Sequence, residues 1–179
     1  MQLINDFSVL DKILQDYKVQ IGEDFIAYRN HLYRMLNFAN CLGRLDSFDL
    51  EKMMIAAAFH DIGIWTKSTV DYIEPSVHEA RHWLHNSEYF ADEQEILDMI
   101  SLHHKVRQVK DHPSPLVELF RRADLVDFSL GLITFGVPSD FIKTVKQVYP
   151  NAGFHKCLMR LSWQQFKSQP LNPLPMMKW

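Results

Sequence analysis

The sequence predicts an all-α fold, and three observations carry that expectation. Apolar residues recur every three or four positions along most of the chain, which is the spacing of one helix face. No stretch alternates apolar and polar side chains as a half-buried strand does, and Gly, Pro and capping residues divide the chain into about eight segments of helical length. With 179 residues, 47% of them hydrophobic, the chain can bury one substantial core. One domain is therefore expected over residues 1–179, with a motif-bearing core at 24–131 and C-terminal helices and tail at 132–179.

Phe7, Leu10, Ile13, Leu14, Tyr17 and Ile21 mark a first amphipathic helix that Gly22 stops. A second begins at Asp24 as N-cap and runs to Gly43, with Tyr28, Leu32, Met35, Ala39 and Leu42 inward and His31 on the same side. Asp46 or Ser47 caps a third, which is almost wholly apolar from Met53 to Phe59 and then presents His60 and Asp61 together, with Gly63 as the left-handed residue that ends it. The polar link from Thr66 to Pro75 reads as a lid or pocket wall, with Thr66 to Glu74 and the later Lys105 to His112 loop expected to build the wall. Ser76-Val77-His78-Glu79 reads as a capping box for the fourth helix, whose apolar face is Val77, Ala80, Trp83 and Leu84, leaving His78, His82 and His85 on the opposite, solvated side. Asp92-Glu93-Gln94-Glu95 caps a fifth helix in which His103 and His104 flank the inward stripe of Ile96, Leu97, Met99 and Ile100. After a basic loop from Lys105 to His112, Ser114 and Pro115 open a sixth helix. Leu116, Leu119, Phe120, Ala123 and Leu130 are its expected buried face, Asp124 and Asp127 lie within that face, and Arg121 and Arg122 point away. A seventh helix starts at Ser139 or Asp140, an eighth spans Phe154 to Lys167, and a Pro-rich tail is expected to be extended, with Leu171, Leu174 and Trp179 able to dock.

A formal net charge of −3 without any long run of Lys or Arg gives no reason to expect nucleic acid or a membrane surface as partner. No apolar run reaches the length of a membrane span, and Met1 to Asp6 lack the pattern of a secretory signal, so a cytoplasmic protein is expected. Cys41 and Cys157 form no CxxC pair and read as reduced thiols. Nothing in the sequence indicates an oligomeric state.

Four helices thus aim His31, His60 with Asp61, His103 with His104, and Asp124 at one interior. Buried imidazoles and carboxylates are costly unless something charged holds them, and that donor set suits Mn, Fe, Co, Ni or Zn. The order H, then HD, then D on successive helices resembles the HD-domain superfamily of metal-dependent phosphohydrolases. The resemblance spans roughly His31 to Asp127 and rests on Tyr28-Arg29-Asn30-His31, Phe59-His60-Asp61-Ile62-Gly63, Ser101-Leu102-His103-His104 and Arg122-Ala123-Asp124. It implies an HD-type helical bundle in which His31, His60, Asp61 and Asp124 bind one divalent transition metal ion. It also implies that the His103-His104 doublet contacts the substrate or binds a possible second metal ion. The fourth helix departs from the binuclear pattern because its histidines face outward.

The activity implied is hydrolysis of a small phosphoester, a nucleotide or related phosphate being the superfamily's default. In that scheme Asp61 both ligates and orients or deprotonates the attacking water. His103 or His104 hydrogen-bonds the phosphoryl oxygens or protonates the leaving oxygen. Lys67, Lys105 and Arg107 are the cations nearest in sequence and could anchor phosphate, and Glu74 is a candidate general acid. Asp127, nearly one turn after Asp124, reads as a residue that orients a ligand. Two other readings share the ligands: an HD-type diiron oxygenase, and a non-catalytic module that keeps the metal to hold a nucleotide.

Overall fold

The computed structural model describes residues 2–105, 107–172 and 175–176, and among these it is helical without any strand. Eight helices of nine residues or more follow one another: α1 (Ser8–Asp16), α2 (Phe25–Gly43), α3 (Ser47–His60), α4 (Ile73–Leu84), α5 (Glu93–Leu102), α6 (Pro115–Phe128), α7 (Ser139–Val148) and α8 (Phe154–Ser168). Single helical turns at Lys18–Ile21, Gly22–Asp24, Gly63–Thr66 and Glu88–Asp92 fill the joints. Among the described residues no helix is long and apolar enough to cross a membrane.

Helix α3 is buried on every side from Lys52 to His60, as its unbroken apolar run requires. It starts where the Asp46 carboxylate accepts the Asp49 amide proton at 2.8 Å. Around it, α5, α1, α4 and α2 pack in decreasing extent, while α2 makes its most extensive contact with α6. The Tyr28 hydroxyl of α2 lies 3.2 and 3.1 Å from the Ala57 and Ala58 carbonyls. It thus reaches the last turn of α3, where carbonyls have no partner within the helix, and ties the helix bearing His31 to the end of the one bearing His60. Helix α6 opens as expected, with Pro115 in its first turn and the Ser114 hydroxyl accepting the Leu116 amide.

Several expectations need correction. Gly63 is not a left-handed terminator: α3 closes on Asp61 (φ −111°, ψ 0°), and Gly63 begins the next helical turn. Its lack of a side chain serves close packing instead, since a Cβ there would sit 2.4 Å from the Tyr72 carbonyl oxygen and 2.9 Å from Pro75 Cβ. Helix α4 starts at Ile73, with Glu74 and Pro75 in a first turn that needs no amide donor from proline. Ser76 is therefore no cap, and its hydroxyl accepts the Gly63 amide at 3.0 Å. Asp92 makes no side-chain cap at α5. Arg121 is buried rather than outward, forked onto Glu118 at 2.8 and 2.8 Å. Leu130 lies past the end of α6 with φ +57° and is 48% exposed, so it is not core. In the tail, Asn172 donates back to the Gln169 carbonyl, making a turn where an extended segment was expected, and Leu171 is fully exposed. Met176 is buried, and Leu174 and Trp179 lie outside the described residues.

Candidate metal centre

His31, one turn beyond Tyr28 on α2, is 1% exposed, and its Nδ1 stands 2.7 Å from Asp127 Oδ2. Arg34, the next turn of the same helix face, forks both Asp127 oxygens at 2.6 and 2.7 Å and also donates to the Tyr149 and Pro150 carbonyls. Burial raises the pKa of Asp127, but the hydrogen bonds from His31 and Arg34 outweigh it and hold the group at about 2. An ionised carboxylate can only accept, so His31 Nδ1 carries a proton, and in the neutral ring Nε2 is the bare nitrogen.

The same logic fixes two more rings. His60 Nδ1 lies 2.8 Å from the Ala57 carbonyl and His103 Nδ1 lies 2.6 Å from the Ile100 carbonyl. A carbonyl has no proton to give, so each Nδ1 donates, and in the neutral rings each Nε2 carries a lone pair. These lone pairs converge. His31 Nε2 and His60 Nε2 are 3.3 Å apart, which is two acceptors facing each other rather than a hydrogen bond. Asp61 Oδ2 is 3.3 Å from His60 Nε2, and Asp124 Oδ1 is 3.5 and 3.9 Å from the Nε2 atoms of His31 and His60. On the other side of Asp61, its Oδ1 faces His103 Nε2 at 3.6 Å, and both atoms are buried without a hydrogen-bond partner.

An acceptor-only cluster of this kind is short of positive charge. With Asp127 neutralised by Arg34, the carboxylates of Asp61 and Asp124 leave two negative charges in a buried site. Burial, reinforced by the nearby Asp61 and Asp127, pushes Asp124 up to about 6. Burial pushes His60 down to about 3, so that ring stays neutral. Burial also works against a charge on His103, but the Asp61 and Asp124 carboxylates outweigh it and raise its pKa.

The donor set fits a divalent first-row ion. Nitrogen and oxygen ligands held at about 2.1 Å from one ion stand roughly 3–4 Å from each other, the range found among these atoms. Among the described residues two triads have ligand atoms mutually within 4.8 Å: His31, His60 and Asp61, and Asp61, His103 and His104. Asp61 belongs to both. Asp124 approaches the first from α6.

A cavity of about 70 Å³ opens beside the cluster. His31, Asp61, Asp124 and His104 give its polar side, and Ile64, Val70 and Tyr72 one wall. Phe154, Leu158, Leu161 and Ser162 of α8, with Phe128 and Met176, close it opposite. Phe154 stacks on the His31 ring with centroids 4.1 Å apart and planes at 12°. Tyr72 is buried; its hydroxyl hydrogen-bonds His104 Nε2, and its ring meets that imidazole edge-on at 5.8 Å.

The other residues expected at the site are placed elsewhere. Lys67 and Glu74 are exposed, Lys105 is half-buried with its carbonyl accepting from Arg121, Arg107 is exposed, and none of the four is among the residues lining this cavity. The wall expected from residues 66–74 is supplied by Val70 and Tyr72. Residues 108–112, from the loop expected to form the other wall, instead border a separate, open cleft of about 740 Å³ with Arg44, Asp49 and Arg122. His78, His82 and His85 are exposed, His112 pairs with Asp98, and His155 contacts the Phe128 carbonyl. Sequence reasoning missed Arg34, although a basic residue three positions after His31 on an otherwise buried face was a usable signal. It missed the α8 wall, for which the amphipathic pattern gives no signal.

A family model described as HD domain matches residues 28–129, a span that contains every ligand candidate named above. Among curated proteins and among solved structures, none matches the chain.

Proposed function

The chain belongs to the HD-domain family, and from that premise we propose that it is a metal-dependent phosphohydrolase acting on a small phosphoester, a nucleotide or related phosphate. The observation that carries the reading is the convergence of three imidazole Nε2 atoms and two carboxylates in a buried site, with Asp61 Oδ1 and His103 Nε2 left without a hydrogen-bond partner. His31, His60, Asp61 and Asp124 would hold the ion, whether Mn, Fe, Co, Ni or Zn. When bound, such an ion supplies Lewis acidity toward a phosphoryl oxygen and makes a water more acidic.

The chain's own residues do the rest. Asp61 is suited to orient the attacking water, because one of its oxygens is buried with no hydrogen-bond partner. His104, on the cavity wall, would hydrogen-bond a phosphoryl oxygen as a neutral ring, since burial and the neighbouring His103 hold its pKa well below the usual imidazole value. Lys67, Glu74, Lys105 and Arg107 do not line the cavity, and no phosphate contact or proton transfer is assigned to them. The apolar wall from α8 excludes bulk water from the reacting group and strengthens every charge interaction within.

The test is a panel of nucleoside mono-, di- and triphosphates, cyclic nucleotides and sugar phosphates, offered to metal-loaded and chelator-stripped protein. Release of inorganic phosphate that needs the metal and is lost in Asp61→Ala supports the reading. Turnover that survives both treatments would rule it out. The sharing of Asp61 between two triads is the observation that favours a diiron oxygenase as second reading. Two irons per chain after anaerobic purification, with oxygen consumption, would select it.

A further inference from the structure

Tyr72 is the residue that the joint between α3 and α4 brings to the cluster, while the histidines of α4 face solvent. Its phenol is buried, its hydroxyl is bonded to His104 Nε2, and it lines the same cavity as Asp61 and His104. The hydroxyl thus engages one member of the second triad, His104, at its Nε2. The remaining members, Asp61 Oδ1 and His103 Nε2, are buried and have no partner. One half of that triad is open to an ion and the other half is closed by a phenol.

We propose that Tyr72 sets the metal stoichiometry of the site: by holding His104 it keeps the Asp61, His103 and His104 triad incomplete, so that the chain binds one ion tightly at the His31, His60 and Asp61 triad and a second only weakly. The inference rests on the reading that this cluster holds a metal ion. The backbone supports such a role for Tyr72. The close approach of Gly63 to the Tyr72 carbonyl, and the hydrogen bond from the Gly63 amide to Ser76, fix residue 72 relative to the end of α3 two residues after Asp61. The phenol is thus anchored by the same turn that presents the shared carboxylate. A second ion has to break the phenol–imidazole bond before it can use His104, and a buried hydrogen bond of this kind is worth about tenfold in an equilibrium.

The experiment is a titration of the full-length, metal-free chain with Co(II). It is followed by calorimetry and visible absorption, with bound metal counted by elemental analysis, in wild type, Tyr72→Phe, His104→Ala and the double variant. The expected result is one tight ion in wild type with a second step at least about tenfold weaker. In Tyr72→Phe the second step should tighten by about tenfold or more, and in the double variant it should disappear while the first step stays. An unchanged or weaker second step in Tyr72→Phe overturns the proposal, as does a second step that survives in the double variant or two equally tight ions in wild type. A wild-type chain without even the first step overturns the metal reading itself, and is recognised before any variant is made. Should Tyr72→Phe not fold, wild type and His104→Ala decide: a weak second step that vanishes in the variant supports the proposal, and any other pattern overturns it.

Discussion

Asp127 accepts the Nδ1 proton of His31 at 2.7 Å, and so determines which nitrogen of that ring faces the cluster. The carboxylate touches no substrate-facing surface; its influence passes through the imidazole. Asp127→Asn keeps the shape and removes the charge that fixes the tautomer. Metal affinity should fall by about 10- to 100-fold with little loss of helix content. Competition with a chromophoric chelator measures it, and an unchanged affinity would show that His31 is oriented by packing alone.

Arg34 carries the charge that lets Asp127 stay ionised at 2% exposure. Arg34→Leu leaves a buried carboxylate without its partner and strips donors from the Tyr149 and Pro150 carbonyls. Stability should drop by about 3–5 kcal/mol in urea unfolding. Arg34→Lys should recover only part of this, because an ammonium cannot fork both oxygens.

Gly63→Ala should destabilise by about 1–3 kcal/mol, for a reason unrelated to backbone conformation. The added methyl meets the Tyr72 carbonyl oxygen at 2.4 Å, a backbone atom with no side-chain freedom to yield. Thermal unfolding measures the loss. The same variant should alter the metal titration if Tyr72 shifts, whereas Gly136→Ala, where a Cβ meets nothing within 4 Å but the backbone sits at φ +99°, should cost stability and leave the titration as it is.

Glu118 gives a pH dependence with a definite sign. Burial raises its pKa, but Arg121, the Val109 amide and Arg122 outweigh burial and lower it from 4.5 to about 2. A depressed carboxyl stabilises the fold above its unfolded pKa and loses that contribution as pH falls through the folded one. The gap in stability between wild type and Glu118→Gln should be about 1–3 kcal/mol near neutrality. It should close between pH 4.5 and about 2. A gap that stays constant across that range would show that Glu118 acts by shape alone.

The helices and the ligand-bearing positions were legible because both follow from periodicity. The stripe of Tyr28, Leu32 and Met35 carries His31 inward with it, and the apolar run from Met53 to Phe59 leaves His60 no exposed side to occupy. Joints were less legible, because a glycine serves either conformation or close approach and the sequence looks alike in both cases. Gly63 belongs to the second kind. Cations were the poorest guide: Lys67, Lys105 and Arg107 were nominated by nearness along the chain, whereas Arg34, buried beside His31, was passed over. Tyr72 lay within a segment already read as a pocket wall, but nothing in a polar link distinguishes the tyrosine that turns inward.

Phe154 lies against His31, yet it belongs to a helix that begins 25 residues after the family match ends at residue 129. The candidate ligands thus sit on one length of chain and the wall beside them on another, so residues 154–168 can be exchanged while every candidate ligand stays where it is. Grafting that stretch from one such protein to another should move substrate preference and leave metal affinity behind.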